Sequence, residues 1–174
     1  MRIISGTHKG RKITPPNNLR LRPTTDKAKE ALLNIIHNRY FFKNKNMLDL
    51  FSGTGNIALE FASRGVNNVI AIDNNVDCIN FIRDTAKSFE LNINPILHDS
   101  LEYVKNCKQQ FDFIFLDPPY NYENYYEIKH LIIKKNLIKE DGLLIIEHSK
   151  EIKFDDPNVE LRNYGTVHFS LFSF

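Results

Sequence analysis

From residue 47 onward, short apolar runs alternate with longer stretches whose apolar residues recur at helical spacing. Short runs bounded by turn residues are typical of buried strands, and the spacing between them is typical of amphipathic helices. Strands that alternate with helices form a parallel sheet covered on both faces, so the pattern predicts an α/β fold. The predicted strands are 47–51, 69–73, 95–97, 111–116 and 143–147, and the predicted helices are 56–64, 75–90, 99–108 and 123–136.

The end of the chain has a different pattern. Residues 159–164 and 167–174 flank Gly165, which predicts an antiparallel hairpin that closes one edge of the sheet. The predicted architecture is a doubly wound, mostly parallel, Rossmann-like sheet in a single domain, since 174 residues match one domain of ordinary size. Among the predicted helices, 75–90 has the clearest apolar face, formed by Val76, Ile79, Ile82, Ala86 and Phe89.

Charge is distributed unevenly along the chain. Residues 1–45 hold 11 Lys or Arg and two acids, a formal charge of +9, whereas residues 46–174 carry −7. A basic segment on an acidic body indicates a polyanionic partner such as nucleic acid, although a solvated basic leader would give the same count.

The basic segment also contains its own predicted elements. Residues 2–4 and 11–13 flank a polar, glycine-containing stretch and predict a small hairpin or extended arm. A first helix is predicted to begin after Thr24 or Thr25, either of which can serve as its N-cap. Its predicted apolar face consists of Ala28, Leu32, Ile35 and Ile36.

Cysteine usage and hydropathy indicate a reducing compartment. Cys78 and Cys107 form no CxxC pattern, and Cys78 is predicted to be a buried free thiol. The histidines show no HExxH or HxxxH spacing, so we expect no metal site. No apolar run approaches the ~20 residues of a membrane span, and the N-terminal apolar pair is too short for a signal peptide. We therefore expect a soluble cytoplasmic protein.

The first predicted strand runs into a glycine-rich turn, Ser52-Gly53-Thr54-Gly55, followed by a helix. Glycines let the backbone approach a ligand closely, and the start of the helix adds a positive dipole. Asp73 and Asp99 end the next two predicted strands, where a carboxylate can accept hydrogen bonds from ribose hydroxyls. These groups are expected to meet at the carboxyl edge of the sheet, where open parallel sheets bind ligands.

Two ligand classes are compatible with this turn. Gly53-x-Gly55-x-x-Ala58 satisfies the loosened dinucleotide fingerprint, so a nicotinamide-dependent oxidoreductase is one alternative. Asp49 favours S-adenosylmethionine, because a carboxylate attracts a sulfonium or an amino group and repels a pyrophosphate. A purely structural turn is the third interpretation, and the acids behind the loop weigh against it.

The predicted strand 111–116 ends in Asp117-Pro118-Pro119-Tyr120. Two prolines fix φ and remove two donors, so the carbonyls here are predicted to face no competing local N–H. Asp117 can then accept one hydrogen of an exocyclic amine and the Pro118 carbonyl the other, which makes the nitrogen nucleophilic toward a sulfonium methyl. Tyr120 offers a face on which a flipped base can stack. A rigid turn is the alternative, and the glycine loop at the expected interval weighs against it.

These motifs together resemble the class I S-adenosylmethionine-dependent amino methyltransferases. More narrowly, residues 2–6, 10–12, 21–26 and 29–34 resemble the RsmD family, whose members methylate the exocyclic N(2) amine of a guanine in bacterial small-subunit ribosomal RNA. The likeness spans nearly the whole chain and implies a seven-stranded sheet with a reversed final strand. It also implies catalysis by Asp117, Pro118, Pro119 and Tyr120, and a cofactor site at Asp49, Phe51, Gly53, Gly55, Asp73, Asp99 and Ser100.

One position departs from the family pattern. Asn56 stands where the family usually has Ala or Gly, and we expect it to serve as the N-cap of the helix without closing the cofactor pocket.

The resemblance assigns a role to each part of the chain. Residues 1–45 are predicted to be an RNA-contacting arm with the first helix, and residues 46–174 the catalytic S-adenosylmethionine-binding domain. Arg11, Lys12 and Arg22 are the first candidates for phosphate contacts. The predicted partner is small-subunit ribosomal RNA or its assembly intermediate, bound by a monomer. The same chemistry on another base, such as adenine N(6) in DNA or RNA, stays open.

Overall fold

The computed structural model describes residues 1–19 and 25–174. Within these ranges five helices alternate with five strands, and two further strands follow. The helices are α1 (Asp26–Arg39), α2 (Asn56–Ser63), α3 (Val76–Ser88), α4 (Ser100–Asn106) and α5 (Tyr125–Lys134). The strands are β1 (Asn46–Leu50), β2 (Asn68–Asp73), β3 (Ile93–Leu97), β4 (Phe111–Leu116), β5 (Ile138–His148), β6 (Glu160–Tyr164) and β7 (Val167–Ser173).

The strands form one seven-stranded sheet in the order β3-β2-β1-β4-β5-β7-β6. Strands β1 to β5 pair in parallel, β7 runs antiparallel to β5, and β6 runs antiparallel to β7 at the edge. The α/β class and the antiparallel C-terminal hairpin are therefore confirmed. Strand order reverses between β1 and β4, which is the topological switch point where such sheets bind ligands.

The sheet is covered on both faces because its central strands are almost continuously apolar. On one face α1, α2 and α3 contribute side chains such as Leu32, Phe61 and Ile82 to the larger core cluster. On the other face α4 and α5 contribute Val104 and Ile128. Every residue of β4 is buried, which fixes rigidly the point at which the chain leaves the sheet after Leu116.

The N-terminal residues form a short hairpin that packs on α2. The Ile3 N–H donates to the Arg11 carbonyl at 3.0 Å, and the Gly10 N–H donates to the Ile3 carbonyl at 2.8 Å. Ile3 and Ile13 are buried against Leu59 of α2. The hairpin is thus integrated into the fold, and the division of the chain at residue 45 stays a prediction.

Two helices show where periodicity was informative and where it was not. Thr25 is the N-cap of α1, and its Oγ1 accepts from the Ala28 N–H, whereas Thr24 lies outside the described residues. In α3 the predicted face is largely confirmed, since Ile79, Ile82 and Ala86 are buried and Cys78 is buried as predicted, whereas Val76 is 51% exposed. Burial raises the pKa of the Cys78 thiol to about 11, in keeping with an inert core thiol.

The helices in residues 1–19 and 25–174 include none long and apolar enough to cross a membrane.

Candidate active site

A cavity of about 630 Å³ opens at the carboxyl ends of the central strands, at the switch point between β1 and β4. Its volume is in the range of roughly 300–1,000 Å³ usual for small-molecule sites. Most of the predicted site residues line it: Asp49, Phe51, Gly53, Asp73, Asp99, Asp117, Pro118, Pro119 and Tyr120. The topology therefore brings together residues that are up to 71 positions apart, as the strand ends predicted.

Two predicted cofactor residues lie behind the lining. Gly55 is the N-cap of α2 with φ +75°, and a Cβ there would lie 2.8 Å from Ile82 Cγ1, so its glycine serves the packing of α2 on α3. Ser100 is buried, and its Oγ accepts from the Phe51 N–H at 3.2 Å. Ser100 thus stabilises the loop that follows β1 through this hydrogen bond.

The loop after β1 has an unusual backbone. Phe51, Gly53 and Gly55 all have positive φ, at 62°, 53° and 75°. Phe51 is a bulky residue in the left-handed region, which costs conformational energy and needs support. The bond to Ser100 provides part of it, and the Phe51 ring packs edge-on against Tyr122 with centroids 5.0 Å apart. The loop is therefore held in one strained shape at the cavity wall.

Asp73 fixes the same loop from the neighbouring strand. Its carboxylate accepts from the Gly53 N–H at 2.7 Å and from the Asn75 N–H at 2.9 Å. A carboxylate has about four acceptor sites, so Asp73 can still accept from a ligand hydroxyl. Asp99 lies beyond the end of β3, contrary to the prediction that it ends the strand, and it caps α4 by accepting from the Glu102 N–H at 2.9 Å.

The cavity is strongly acidic. Five carboxyl groups line it, and no Lys, Arg or His is among the described residues that do so. Burial, and to a smaller extent the charge of Asp73, raises the pKa of Asp49, although its carboxylate accepts from the Ala58 N–H. Burial, followed by the charges of Glu147 and Asp49, raises the pKa of Asp117. Such a site attracts a cationic ligand and repels a pyrophosphate, which weighs against a dinucleotide.

The expectation that Asn56 caps α2 is wrong. Gly55 is the N-cap, and Asn56 occupies the first turn, where its Oδ1 accepts from Lys29 Nζ at 2.8 Å. Lys29 also donates to the Arg2 carbonyl at 2.6 Å and lies 3.4 Å from Glu60. A fully buried ammonium requires acceptors on every side, and burial still lowers the pKa of Lys29. Asn56 satisfies that need while it also lines the cavity.

The carbonyls after β4 do face donors, contrary to the prediction. The Tyr125 hydroxyl donates to the Pro118 carbonyl at 3.4 Å, and the Tyr122 N–H donates to the Pro119 carbonyl at 2.8 Å. Prolines lack only their own N–H groups, and the turn that follows places donors from later residues next to the two carbonyls. A carbonyl oxygen has two lone pairs, so Pro118 retains an acceptor site. Tyr120 lines the cavity and is 53% exposed.

Sequence reasoning missed several lining residues, two of which carry ionisable side chains. Glu147, near the end of β5, is buried and borders the cavity. Its signal was the acid that ends the apolar run 143–147, the same signal that identified Asp73. Tyr122 has a buried hydroxyl with no hydrogen-bond partner within the described part of the chain, and burial raises its pKa to about 12. No sequence pattern marks this residue.

The predicted phosphate contacts lie away from the cavity. The Arg11 guanidinium sits 4.6 Å from the centroid of Phe89, the C-cap of α3, whereas Asn75 at the other end of α3 lines the cavity. A helix of 13 residues spans about 20 Å. Lys12 is exposed, and its backbone forms an antiparallel β-bridge with that of Arg2 in the hairpin. Arg22 lies outside the described residues.

Part of the basic charge of residues 1–45 is used inside the protein. Three of its bases pair with acids that lie outside residues 1–45, namely Lys29 with Glu60, Arg39 with Glu160 and Lys45 with Asp112. The count of +9 therefore overstates the charge that this segment offers to a partner.

S-adenosylmethionine fits the observed donor set. The cavity combines acids for a sulfonium and an amino group, a carboxylate on the ribose side, and an unsatisfied tyrosine hydroxyl. Together with the sheet order and the reversed strand β7, this defines a class I methyltransferase.

Comparison with known proteins agrees with that class. A family model described as "Conserved hypothetical protein 95" matches residues 1–173, and the chain belongs to this family, which is the RsmD family indicated by its motifs. Proteins named ribosomal RNA small subunit methyltransferase D from Buchnera aphidicola subsp. Baizongia pistaciae and from Haemophilus influenzae are each 30% identical, over 99% of this chain and 91% and 93% of theirs. The solved yhhF protein of Escherichia coli has a TM-score of 0.86 with 24% identity, covering 99% of this chain and 97% of that chain, which shows the shared fold.

Proposed function

We propose that this enzyme transfers a methyl group from S-adenosylmethionine to the exocyclic N(2) amine of a guanine in bacterial small-subunit ribosomal RNA. The observation that carries the proposal is the placement of Asp117 and Pro118 on an acid-lined cavity at the carboxyl end of β4. The names of the relatives support the ribosomal substrate and the family supports the guanine.

The cofactor would be held by residues on both sides of the strand switch. Asp73 accepts from the ribose hydroxyls, and Asp49 faces the cationic end. Asp99 and Tyr122 both line the cavity and would face the adenine side. When bound, S-adenosylmethionine supplies an electrophilic methyl group and leaves as S-adenosylhomocysteine.

The target amine would be activated by position and hydrogen bonding. The Asp117 carboxylate accepts one of its hydrogens and the Pro118 carbonyl accepts the other, which turns the nitrogen lone pair away from the ring and toward the methyl group. Tyr120 stacks on the flipped base. The Tyr125 hydroxyl holds the Pro118 carbonyl in place from the protein side.

The reaction leaves one proton in excess on the nitrogen after the carbon–nitrogen bond has formed and the carbon–sulfur bond has broken. Asp117 is the acceptor best placed for it. Its raised pKa makes the ionised carboxylate a stronger base than an ordinary aspartate, and solvent at the open mouth can then remove the proton.

The RNA contacts extend the site beyond one nucleotide. Arg11 and Lys12, with Arg22, are proposed to bind phosphates. Because Arg11 packs on one end of α3 and the cavity lies at the other end, about 20 Å away, an RNA substrate must extend beyond the target nucleotide to contact both. We propose small-subunit ribosomal RNA or its assembly intermediate as that substrate. We place the reaction in the cytoplasm and assign it to a monomer.

The role of Asp117 can be tested with a matched pair of variants. Asp117→Ala should lose methyl transfer to undermethylated small subunits by about 100-fold or more while S-adenosylhomocysteine binding, measured by calorimetry, is kept. Asp84→Ala, which removes an exposed acid of α3, should retain both. Transfer at the normal rate by Asp117→Ala would remove Asp117 from the chemistry.

A further inference from the structure

Glu147 and Asp117 occupy equivalent places on neighbouring strands. Leu116 of β4 pairs with Ile146 of β5 in parallel register, so Asp117 and Glu147 are the next residues along each strand. Paired parallel strands lie about 4.8 Å apart. Side chains alternate between faces, so both residues lie on the face of Phe115 and Ile145, and Phe115 itself borders the cavity. The two carboxyl groups are therefore neighbours within one site.

The pairing of two acids is electrostatically unfavourable. Glu147 is buried and Asp117 is partly buried, and the charge of Glu147 is the largest charge effect on Asp117. No basic side chain is found among the cavity-lining residues that the structure describes. Holding an amine requires only Asp117 and the Pro118 carbonyl, so the second acid needs a separate reason.

The edge of the base supplies that reason. In guanine the 2-amino group lies beside the ring N1–H, and both are donors. In adenine the 6-amino group lies beside N1, which has no hydrogen and is an acceptor. A carboxylate next to the amine-binding group therefore matches guanine and opposes the lone pair of adenine N1.

We propose that Glu147 is a specificity-determining residue whose carboxylate accepts the N1–H of the target guanine while Asp117 and Pro118 hold its amine. The assignment rests on the proposed methyl transfer. A site that hydrogen-bonds a substrate N–H rejects analogues that lack it by up to about 10⁴-fold, because a buried polar group is left unpaired.

The test compares guanine with 2-aminopurine at the mapped target position of small-subunit RNA, prepared by ligation and assembled into subunits. 2-Aminopurine keeps the reactive amine but has an N1 lone pair. The wild type should strongly prefer guanine. Glu147→Gln, whose amide can donate to that lone pair, should lower the guanine to 2-aminopurine ratio of kcat/KM by about 10-fold or more. Glu147→Asp should keep the preference, and Glu151→Gln, the same change at an exposed site nearby, should leave the ratio unchanged.

The outcomes separate this role from the proposed function. If the wild type methylates no guanine substrate, the proposed function fails. If it methylates guanine but Glu147→Gln keeps the wild-type ratio, the specificity role is wrong. Reduced S-adenosylhomocysteine binding with an unchanged ratio would instead assign Glu147 to the cofactor. If Glu147→Gln does not fold, Glu147→Ala takes its place, and the same fall in the guanine to 2-aminopurine ratio of kcat/KM is expected.

Discussion

The docking of the N-terminal hairpin on α2 can be tested with two glycines of the same backbone conformation. Gly6 and Gly10 have φ values of +88° and +82°. A Cβ on Gly6 would lie 1.9 Å from the Ser63 carbonyl oxygen, a contact that backbone atoms cannot accommodate, whereas a Cβ on Gly10 would meet nothing within 4 Å. Gly6→Ala therefore requires the hairpin to separate from α2, whereas Gly10→Ala does not.

The expected costs differ accordingly. An alanine in the left-handed region costs about 1–2 kcal/mol in either variant. Gly6→Ala also breaks the contacts with Ser63, whose carbonyl accepts from Thr7 N–H at 2.8 Å and whose Oγ accepts from His8 N–H at 3.0 Å and donates to the Ser5 carbonyl at 2.8 Å. Three hydrogen bonds at about 1 kcal/mol each add roughly 3 kcal/mol. The totals are about 4–5 kcal/mol for Gly6→Ala and about 1–2 kcal/mol for Gly10→Ala.

Urea unfolding of both variants beside the wild type measures the difference in unfolding free energy, and thermal unfolding measures the accompanying change in melting temperature. At about 2–4 °C per kcal/mol for a chain of this length, the melting temperature should fall by roughly 10 °C or more for Gly6→Ala and by a few degrees for Gly10→Ala. Equal losses in the two variants would refute the docked arrangement, since backbone strain alone would then explain both.

Three further outcomes follow from the buried charges and the orphaned hydroxyl. Glu60→Gln should destabilise the fold by about 3–5 kcal/mol in urea unfolding, because it leaves the buried Lys29 ammonium without its counter-ion; a loss under 1 kcal/mol would contradict the pairing. The acid limb of the pH profile of kcat/KM should lie above the ordinary pKa range of aspartic acid, because protonated Asp117 cannot accept the amine hydrogen. Glu147→Gln should move this limb to lower pH, because it removes a charge that raises the pKa of Asp117. An acid limb at the same pH in Glu147→Gln would contradict the electrostatic coupling of Glu147 to Asp117. Tyr122→Phe should weaken S-adenosylhomocysteine binding by about 3- to 10-fold in calorimetry, the effect of one hydrogen bond, and unchanged affinity would show that the hydroxyl does not reach the ligand.

The fold was predictable because its central strands are buried on both faces. Apolar runs such as 111–116 coincide with β4 exactly as it is observed, and the position of Gly165 located the hairpin. Burial of α3 was predicted correctly at Cys78, Ile79 and Ile82 but not at Val76, which lies at the helix start and is exposed to solvent. The spacing of apolar residues predicts which face of a helix is apolar, but the packing of the helix on the rest of the protein decides which residues of that face are buried.

The lining of the cavity was predictable where an acid lies at the carboxyl end of a strand. Asp73 ends β2 and Asp117 directly follows β4, whereas Asp49 within β1 was singled out by its place before the glycine turn. Glu147 lies near the end of β5 in the same way, although it was not named as a site residue. Contacts formed where the loop after a strand folds back onto it were not predictable. The hydrogen bond from the Tyr125 hydroxyl to the Pro118 carbonyl is an example.

Charge counting had a similar limit. Lys29 counts as one positive charge in the sequence, yet it is fully buried between Asn56 and Glu60 and is unavailable to RNA. A formal charge gives the sum over a segment, whereas ion pairing between distant residues decides how much of that sum faces a partner.

The identity of the methylated nucleoside tests the proposed function most directly. The protein is incubated with labelled S-adenosylmethionine and undermethylated small subunits, naked ribosomal RNA or DNA, and each nucleic acid is digested to nucleosides and analysed by mass spectrometry. N(2)-methylguanosine from the ribosomal substrates is the predicted product. Label in N(6)-methyladenosine, or in DNA alone, would contradict it.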